Sequence, residues 1–246
     1  MRGPTTAKLL EVWENGLRQT PSDRALGLLA AVYPEQPAET LARLGIGERD
    51  ARLLRARELF FGPSIACTTR CPRCAERLEW ESDVATLCIH DGESPTDEFT
   101  VEAEDCHLKF RLPNSLDLAS LNGKKDKGCD RRKQLLEYCL LQASTSEGKS
   151  LRFTQLPEAA LQAMVQAMER ADPQANLLIG LTCPACGHCW EGLFDIVSFL
   201  WAELNNWAER MLRAVHLLAR VYGWREADIL AMSPTRRRIY LEMASQ

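Results

Sequence analysis

The sequence predicts an α+β fold, mainly α, with helical bundle-like regions around a small, split β unit. Three features point to it. The last quarter of the chain repeats apolar residues at helical spacing. Several helix-start signals precede further apolar runs. Two short motifs, Cys71-Pro72-Arg73-Cys74 and Cys183-Pro184-Ala185-Cys186, each lead into a strand-like stretch.

Residues 1–62 read as helices. Leu9, Leu10, Trp13 and Leu17 share one apolar face. Thr20-Pro21-Ser22-Asp23 is a helix-start signal, and Leu26, Leu29, Ala30 and Tyr33 follow at helical spacing. Pro34 and Pro37 break the run. Ala38 to Leu44 predicts a short helix closed by Gly45, and Gly47 to Phe61 predicts another that ends at Gly62-Pro63. Its arginines, Arg49, Arg52, Arg55 and Arg57, are expected on a solvated face, with RNA or partner binding the lesser alternative.

Residues 63–112 hold the first C-P-x-C and β hairpins. Leu78 to Val84 follows the motif as a strand. Glu98 to Glu102 and Leu108 to Leu112 alternate around Glu104-Asp105, which reads as a hairpin. Residues 113–175 read as a helical insertion. It begins beyond Pro113 and includes a polar loop over 122–130 whose lysines are expected in solvent. Leu135, Leu136, Cys139 and Leu140 mark one helix. Pro157 opens another, with Leu161, Met164, Val165 and Met168 as its buried stripe. Residues 176–196 hold the second motif, entered by a strand from Leu177 to Leu181.

Residues 197–246 carry the strongest helical pattern. Val197, Leu204, Met211 and Leu218 form one row; Leu200, Trp207, Ala214 and Val221 a second; Trp201, Ala208, Val215 and Tyr222 a third. Three adjacent rows are wider than a two-stranded coiled-coil seam and suit packing on a core. Phe199, Leu212 and Leu217 lie off that stripe and call for separate cover, by the protein itself or by a partner. Gly223 ends the helix. Glu226 to Met232 is a short helix, and Ser233-Pro234 caps the last one.

The two C-P-x-C motifs are related beyond their cysteines. Glu79 matches Glu191, Asp83 matches Asp195 and Val84 matches Ile196 at equal offsets. Four thiolates in two C-x-x-C pairs satisfy a tetrahedral structural Zn2+ site and leave no open position for chemistry. The expected ligands are Cys71, Cys74, Cys183 and Cys186. In a compact zinc ribbon the pairs lie about 15 to 20 residues apart; here Cys74 and Cys183 are 109 positions apart. One split ribbon with a large insertion is favoured over two separate sites, because each pair supplies half of the usual shell. Cys67, Cys189 and His188 lie near enough to substitute as ligands, although an ordinary buried thiol is the better reading of both cysteines. Cys139 is expected in the core.

A redox role needs the first thiolate at a helix N-terminus within a βαβ unit. Neither motif has that context. Gly187 suits a knuckle turn, and Ala75 to Glu81 alternates like a strand. A structural disulfide would need an oxidising compartment, and the N-terminus has no apolar signal core. A cytoplasmic protein with reduced thiols is therefore expected. No apolar run approaches the roughly 20 residues of a membrane span. The 246 residues carry a formal net charge of −4, which argues against a general nucleic-acid binder. No phosphate-binding glycine loop, G-x-S-x-G or H-E-x-x-H is present, so no enzymatic activity is expected. Arg236-Arg237-Arg238 reads as a solvated basic run able to meet a phosphate or an acidic partner.

Several stretches resemble a knuckle family encoded in contractile phage-tail-like gene clusters, the injection systems built like phage tails. They are Leu44-Gly45-Ile46-Gly47-Glu48-Arg49-Asp50, the two C-P-x-C motifs, and above all the tail segment from Val215 to Leu230 with Ser233-Pro234 and Arg236-Arg237-Arg238. The resemblance implies a baseplate or assembly-associated protein that binds protein partners, tail or baseplate components among them. The expected role is a zinc-stabilised scaffold for such assembly. The alternatives are a zinc-ribbon regulator that binds nucleic acid and a CxxC oxidoreductase.

Overall fold

The structure is a computed structural model that describes residues 3–89, 98–123 and 130–244. The polar loop predicted over 122–130 falls largely outside the described residues. In chain order the elements are α1 (Thr6–Gly16), α2 (Pro21–Val32), α3 (Ala38–Arg43), α4 (Ile46–Phe61), β1 (Ser64–Arg70), β2 (Arg77–Asp83), α5 (Val84–Leu87), β3 (Phe99–Ala103), β4 (Cys106–Phe110), α6 (Ser115–Gly123), α7 (Arg131–Cys139), β5 (Leu140–Thr145), α8 (Glu158–Ala171), β6 (Leu178–Thr182), β7 (Cys189–Leu193), α9 (Ile196–Tyr222), α10 (Glu226–Ala231) and α11 (Pro234–Ala244). The fold is mainly α with small antiparallel sheets: β1-β2, β3-β4-β5 and β6-β7.

The chain divides into two units, Met1–Pro37 with Ile196–Gln246, and Ala38–Asp195. In the first, α1 and α2 pack on α9. Thr20 starts α2 as expected, its hydroxyl oxygen accepting from the Asp23 N–H. Leu28, Leu29, Leu200 and Leu204 are fully buried, and each such leucine contributes about 2 kcal/mol through the apolar surface it removes from water. Gly16 is where α1 meets Trp201: a Cβ there would lie 2.3 Å from the indole Cη2. The same indole lies 4.4 Å beneath the Arg24 guanidinium, whose Nε donates to the Gly16 carbonyl at 2.8 Å. One arginine thus caps α1 and covers the tryptophan. Further along α9, Val215 and Leu218 join Ile229 in a second cluster with α10 and α11, faced by the rings of Tyr222, Trp224 and Tyr240. Off the main stripe, Leu212 stays 40% exposed, while Phe199 and Leu217 are half-buried.

In the second unit, α8 lies on the β3-β4-β5 sheet, and Leu108, Phe110, Cys139, Ala160 and Met164 form the core between them. Glu104 and Asp105 both have positive φ, 47° and 58°, the geometry of a tight turn that matches strand twist. Sequence periodicity assigns Leu140 to a helix, but the helix stops at Cys139 and Leu140 begins the third strand of this sheet. The cause is tertiary. The Arg111 N–H donates to the Cys139 carbonyl at 3.0 Å, and its guanidinium donates to the Tyr138 carbonyl while gripping Asp117 at 2.6 and 2.8 Å. The end of α7 is thereby held at β4, and the following residues pair with it.

The arginines of α4 do not form one solvated face. Arg49 and Arg57 are 5% and 3% exposed. Arg49 pairs with Asp50 at 2.8 Å, and Arg57 donates to the Gly62 carbonyl, closing the C-terminus of α4. At the other end of α4 the Gly47 N–H donates to the buried Asp172 carboxylate at 2.9 Å. No helix among the described residues is long and apolar enough to cross a membrane.

Candidate metal centre

The two motifs sit at the tips of two hairpins built alike. Arg70 pairs with Arg77 at the end of β1-β2, and Thr182 pairs with Cys189 at the end of β6-β7. Between them lie Cys71 to Glu76 in one hairpin and Cys183 to His188 in the other. In the first, the Cys71 N–H donates to the Glu76 carbonyl and the Ala75 N–H to the Cys71 carbonyl, each at 2.9 Å. In the second, Cys183 N–H to His188 carbonyl and Gly187 N–H to Cys183 carbonyl repeat the pattern at 2.9 Å. The likeness continues into helices: Asp83 caps α5 through the Ala85 N–H, and Asp195 stands immediately before α9.

These hairpins bring Cys71, Cys74, Cys183 and Cys186 together. Their four Sγ atoms all lie within 4.8 Å of one another. The contacts at 3.7 Å, Cys71 to Cys186, and at 3.6 Å, Cys74 to Cys183, both cross from one knuckle to the other. A disulfide would need about 2.05 Å, so the sulfurs are not bonded. Thiolates about 2.3 Å from a central zinc at tetrahedral angles would stand about 3.8 Å apart, so the cluster has the dimensions of such a shell. Leu78 and Trp190, four residues beyond Cys74 and Cys186, supply the apolar lining. Cys71 and Cys183 are buried, Cys186 is half-buried and Cys74 is exposed.

The thiols of the cluster do not favour charge equally. Desolvation raises the Cys71 thiol, but the backbone N–H groups of Cys74 and Arg73 outweigh it and bring it down to about 7. The His188 N–H favours the Cys186 thiolate, yet desolvation and the neighbouring thiols push Cys186 up to about 12. The Glu76 N–H acts likewise on Cys74, which is also raised, by desolvation and by the Cys183 and Cys71 thiols. Charge is favoured at Cys71 and disfavoured at Cys74 and Cys186, where neighbouring thiols repel it. A divalent, thiophilic cation removes that repulsion, and N–H···S bonds of this kind support bound thiolates. With four protein sulfurs around it, such an ion has no open position for substrate.

A family model described as T4 bacteriophage base plate protein matches residues 25–201. The chain belongs to this base-plate family. Both knuckles and the Leu44–Asp50 stretch lie inside the matched residues. The tail segment from Val215, where the resemblance to the phage-tail-like family is clearest, lies outside them. No curated protein and no solved structure gives a significant match.

The other described cysteines of this base-plate protein are not among the clustered ligand atoms. Cys67 is buried in β1, opposite Trp80. Cys189 is exposed rather than buried, its Sγ 3.5 Å from the Thr182 hydroxyl. The His188 ring stacks on Trp190 at 5.8 Å and is not among the clustered ligand atoms. Cys139 is a core residue, its thiol pushed up to about 12 by desolvation. The crossed pairing of the sulfurs and the Leu78–Trp190 lining were not read from the sequence, although the equal offset of these two residues from the cysteines was a usable signal.

Proposed function

We propose that this base-plate family member is a zinc-stabilised, protein-binding assembly factor of a contractile tail or tail-like particle, acting in the cytoplasm and without enzymatic activity. One observation carries the reading: four sulfurs from two distant knuckles converge within 4.8 Å, inside the residues matched to the base-plate family. Zinc bound there supplies a fixed cross-link and no open coordination site. Cys71 and Cys74 hold it from the β1-β2 hairpin, Cys183 and Cys186 from the β6-β7 hairpin, and the intervening chain becomes a closed loop. Metal binding and folding are then coupled.

Elemental analysis of protein purified without chelator is the first test. About one zinc per chain is expected, lost in the Cys71→Ser/Cys183→Ser variant; full retention in that variant, or zinc far below one equivalent, would overturn the assignment. Chelation is expected to lower the melting temperature and to expose residues 63–112 to proteolysis. The second test is affinity purification from the native host. Tail or baseplate proteins retained at moderate salt support the assembly role. Recovery of nucleic acid alone, falling steeply with salt, would instead support a nucleic-acid-binding regulator.

A further inference from the structure

We propose that the four-cysteine cluster is an oxidation-responsive clasp: a peroxide-class oxidant converts it to two disulfides that both cross the knuckles, Cys74–Cys183 and Cys71–Cys186. Any metal held there is released, yet the two hairpins stay joined. The metal-release part rests on the zinc reading above; the pairing rests on geometry alone.

The two sulfur contacts of 3.6 and 3.7 Å each join one knuckle to the other. Each also joins an accessible thiol to a buried one. Cys74 is exposed and faces Cys183, which is 1% exposed; Cys186 is half-buried and faces Cys71, which is 2% exposed. An oxidant arriving from solvent therefore meets the second cysteine of a knuckle first. The first cysteine of the other knuckle stands 3.6 or 3.7 Å away, in reach to resolve it.

The chemistry balances. The Cys74 thiolate attacks hydrogen peroxide, an S–O bond forms as the O–O bond breaks, and the departing hydroxide takes a proton to become water. The Cys183 thiolate then attacks the Cys74 sulfenic acid, forms the S–S bond and expels hydroxide, which is again protonated. One peroxide accepts two electrons per disulfide. Cys186 and Cys71 repeat the sequence. After the first disulfide, a bound metal has lost half its ligands and leaves.

The experiment uses the full chain, as purified and after metal removal, titrated with hydrogen peroxide and alkylated. Proteolysis without reduction followed by mass spectrometry reads the linkages, and a chromogenic chelator reads zinc release. Cys74–Cys183 and Cys71–Cys186 peptides are expected in both samples, together with a melting temperature that no longer responds to chelator. Cys71–Cys74 and Cys183–Cys186 linkages, or sulfinic acids at Cys74 and Cys186 without cross-links, would overturn the proposal. Correct linkages without zinc release would refute the zinc reading and leave the clasp standing. Cys189, exposed but outside the cluster, is the internal control and is expected to remain unlinked. In Cys183→Ser, Cys71–Cys186 is expected to form and Cys74 to stay unlinked. Its capture by Cys71 instead would show that the crossed geometry does not direct the pairing.

Discussion

Ala75 and Gly187 hold the same left-handed backbone conformation, at φ 63° and 68°, one residue beyond the second cysteine of each knuckle. The position is imposed by the turn that donates its N–H back to the first cysteine's carbonyl. Glycine adopts it freely, whereas a residue with a Cβ is strained by about 1 kcal/mol. Nothing lies within 4 Å of a Cβ built on Gly187, so the backbone alone sets the effect. Gly187→Ala is expected to destabilise by about 1 kcal/mol. Ala75→Gly is expected to stabilise by a smaller amount, since the unfolded glycine gains entropy. Denaturant unfolding of both variants checks the pair; a loss of stability in Ala75→Gly would refute the equivalence of the two turns.

Gly16 and Trp201 are matched surfaces in the first unit. A Cβ at Gly16 would overlap the indole, and the indole cannot retreat without losing the Arg24 guanidinium stacked on it. Gly16→Ala is expected to cost about 1–3 kcal/mol by overpacking. In a Trp201→Leu background the same substitution should cost much less, because the clash is gone. The coupling is read from a double-mutant cycle, and an equal cost in both backgrounds would refute it.

Much of this protein was legible locally, and what was missed is tertiary. Thr20 and Ser233 announced their helices because a hydroxyl bonded to a first-turn N–H is a contact within four residues. The two knuckles were legible because two equal cysteine spacings announce a cluster, and the four sulfurs do converge. Leu140 was misplaced because its strand exists only through pairing with β4, and the Arg111 grip that enforces it lies far back in the sequence. Arg49 and Arg57 look like surface residues until Asp50, Ser115 and the Gly62 carbonyl are found beside them. The crossing of the sulfur pairs depends on how two hairpins meet, which no single motif contains.

Asp50 gives the second unit a pH dependence of definite sign. Burial raises its carboxyl above the usual value; Arg49 opposes this, while Asp195 and Asp172 add to it. The folded state therefore holds the proton more tightly than the unfolded chain. Stability from this group is greatest at low pH and falls as pH rises from the unfolded carboxylate value through the raised folded one. Asp50→Asn keeps an oxygen that can accept from Arg49 but cannot ionise. Across unfolding curves from mildly acidic to neutral pH, the variant's stability relative to the native protein should improve as pH rises. A difference that is flat or of opposite slope would contradict the burial of this charge.

The basic run Arg236-Arg237-Arg238 is not one surface. Arg236 and Arg238 are exposed, and Arg238 faces Glu242 one turn on at 3.5 Å. Arg237 is 5% exposed and donates to the Ile229 carbonyl at 3.3 Å, tying α11 to α10. Burial lowers its pKa, as expected for a cation drawn out of water. Arg237→Ala should therefore destabilise the first unit by about 1–3 kcal/mol, the cost of a lost hydrogen bond from a charged donor and of lost packing. The Arg236→Glu/Arg238→Glu double variant should stay within about 0.5 kcal/mol of the native protein, as exposed substitutions do. That double variant separates structure from recognition. If an acidic partner is steered to this end of the chain, its capture from the native host should weaken, and the loss should shrink as salt is raised. Undiminished capture at low salt would remove the basic face from the partner surface, and a stable Arg237→Ala protein would remove its structural role.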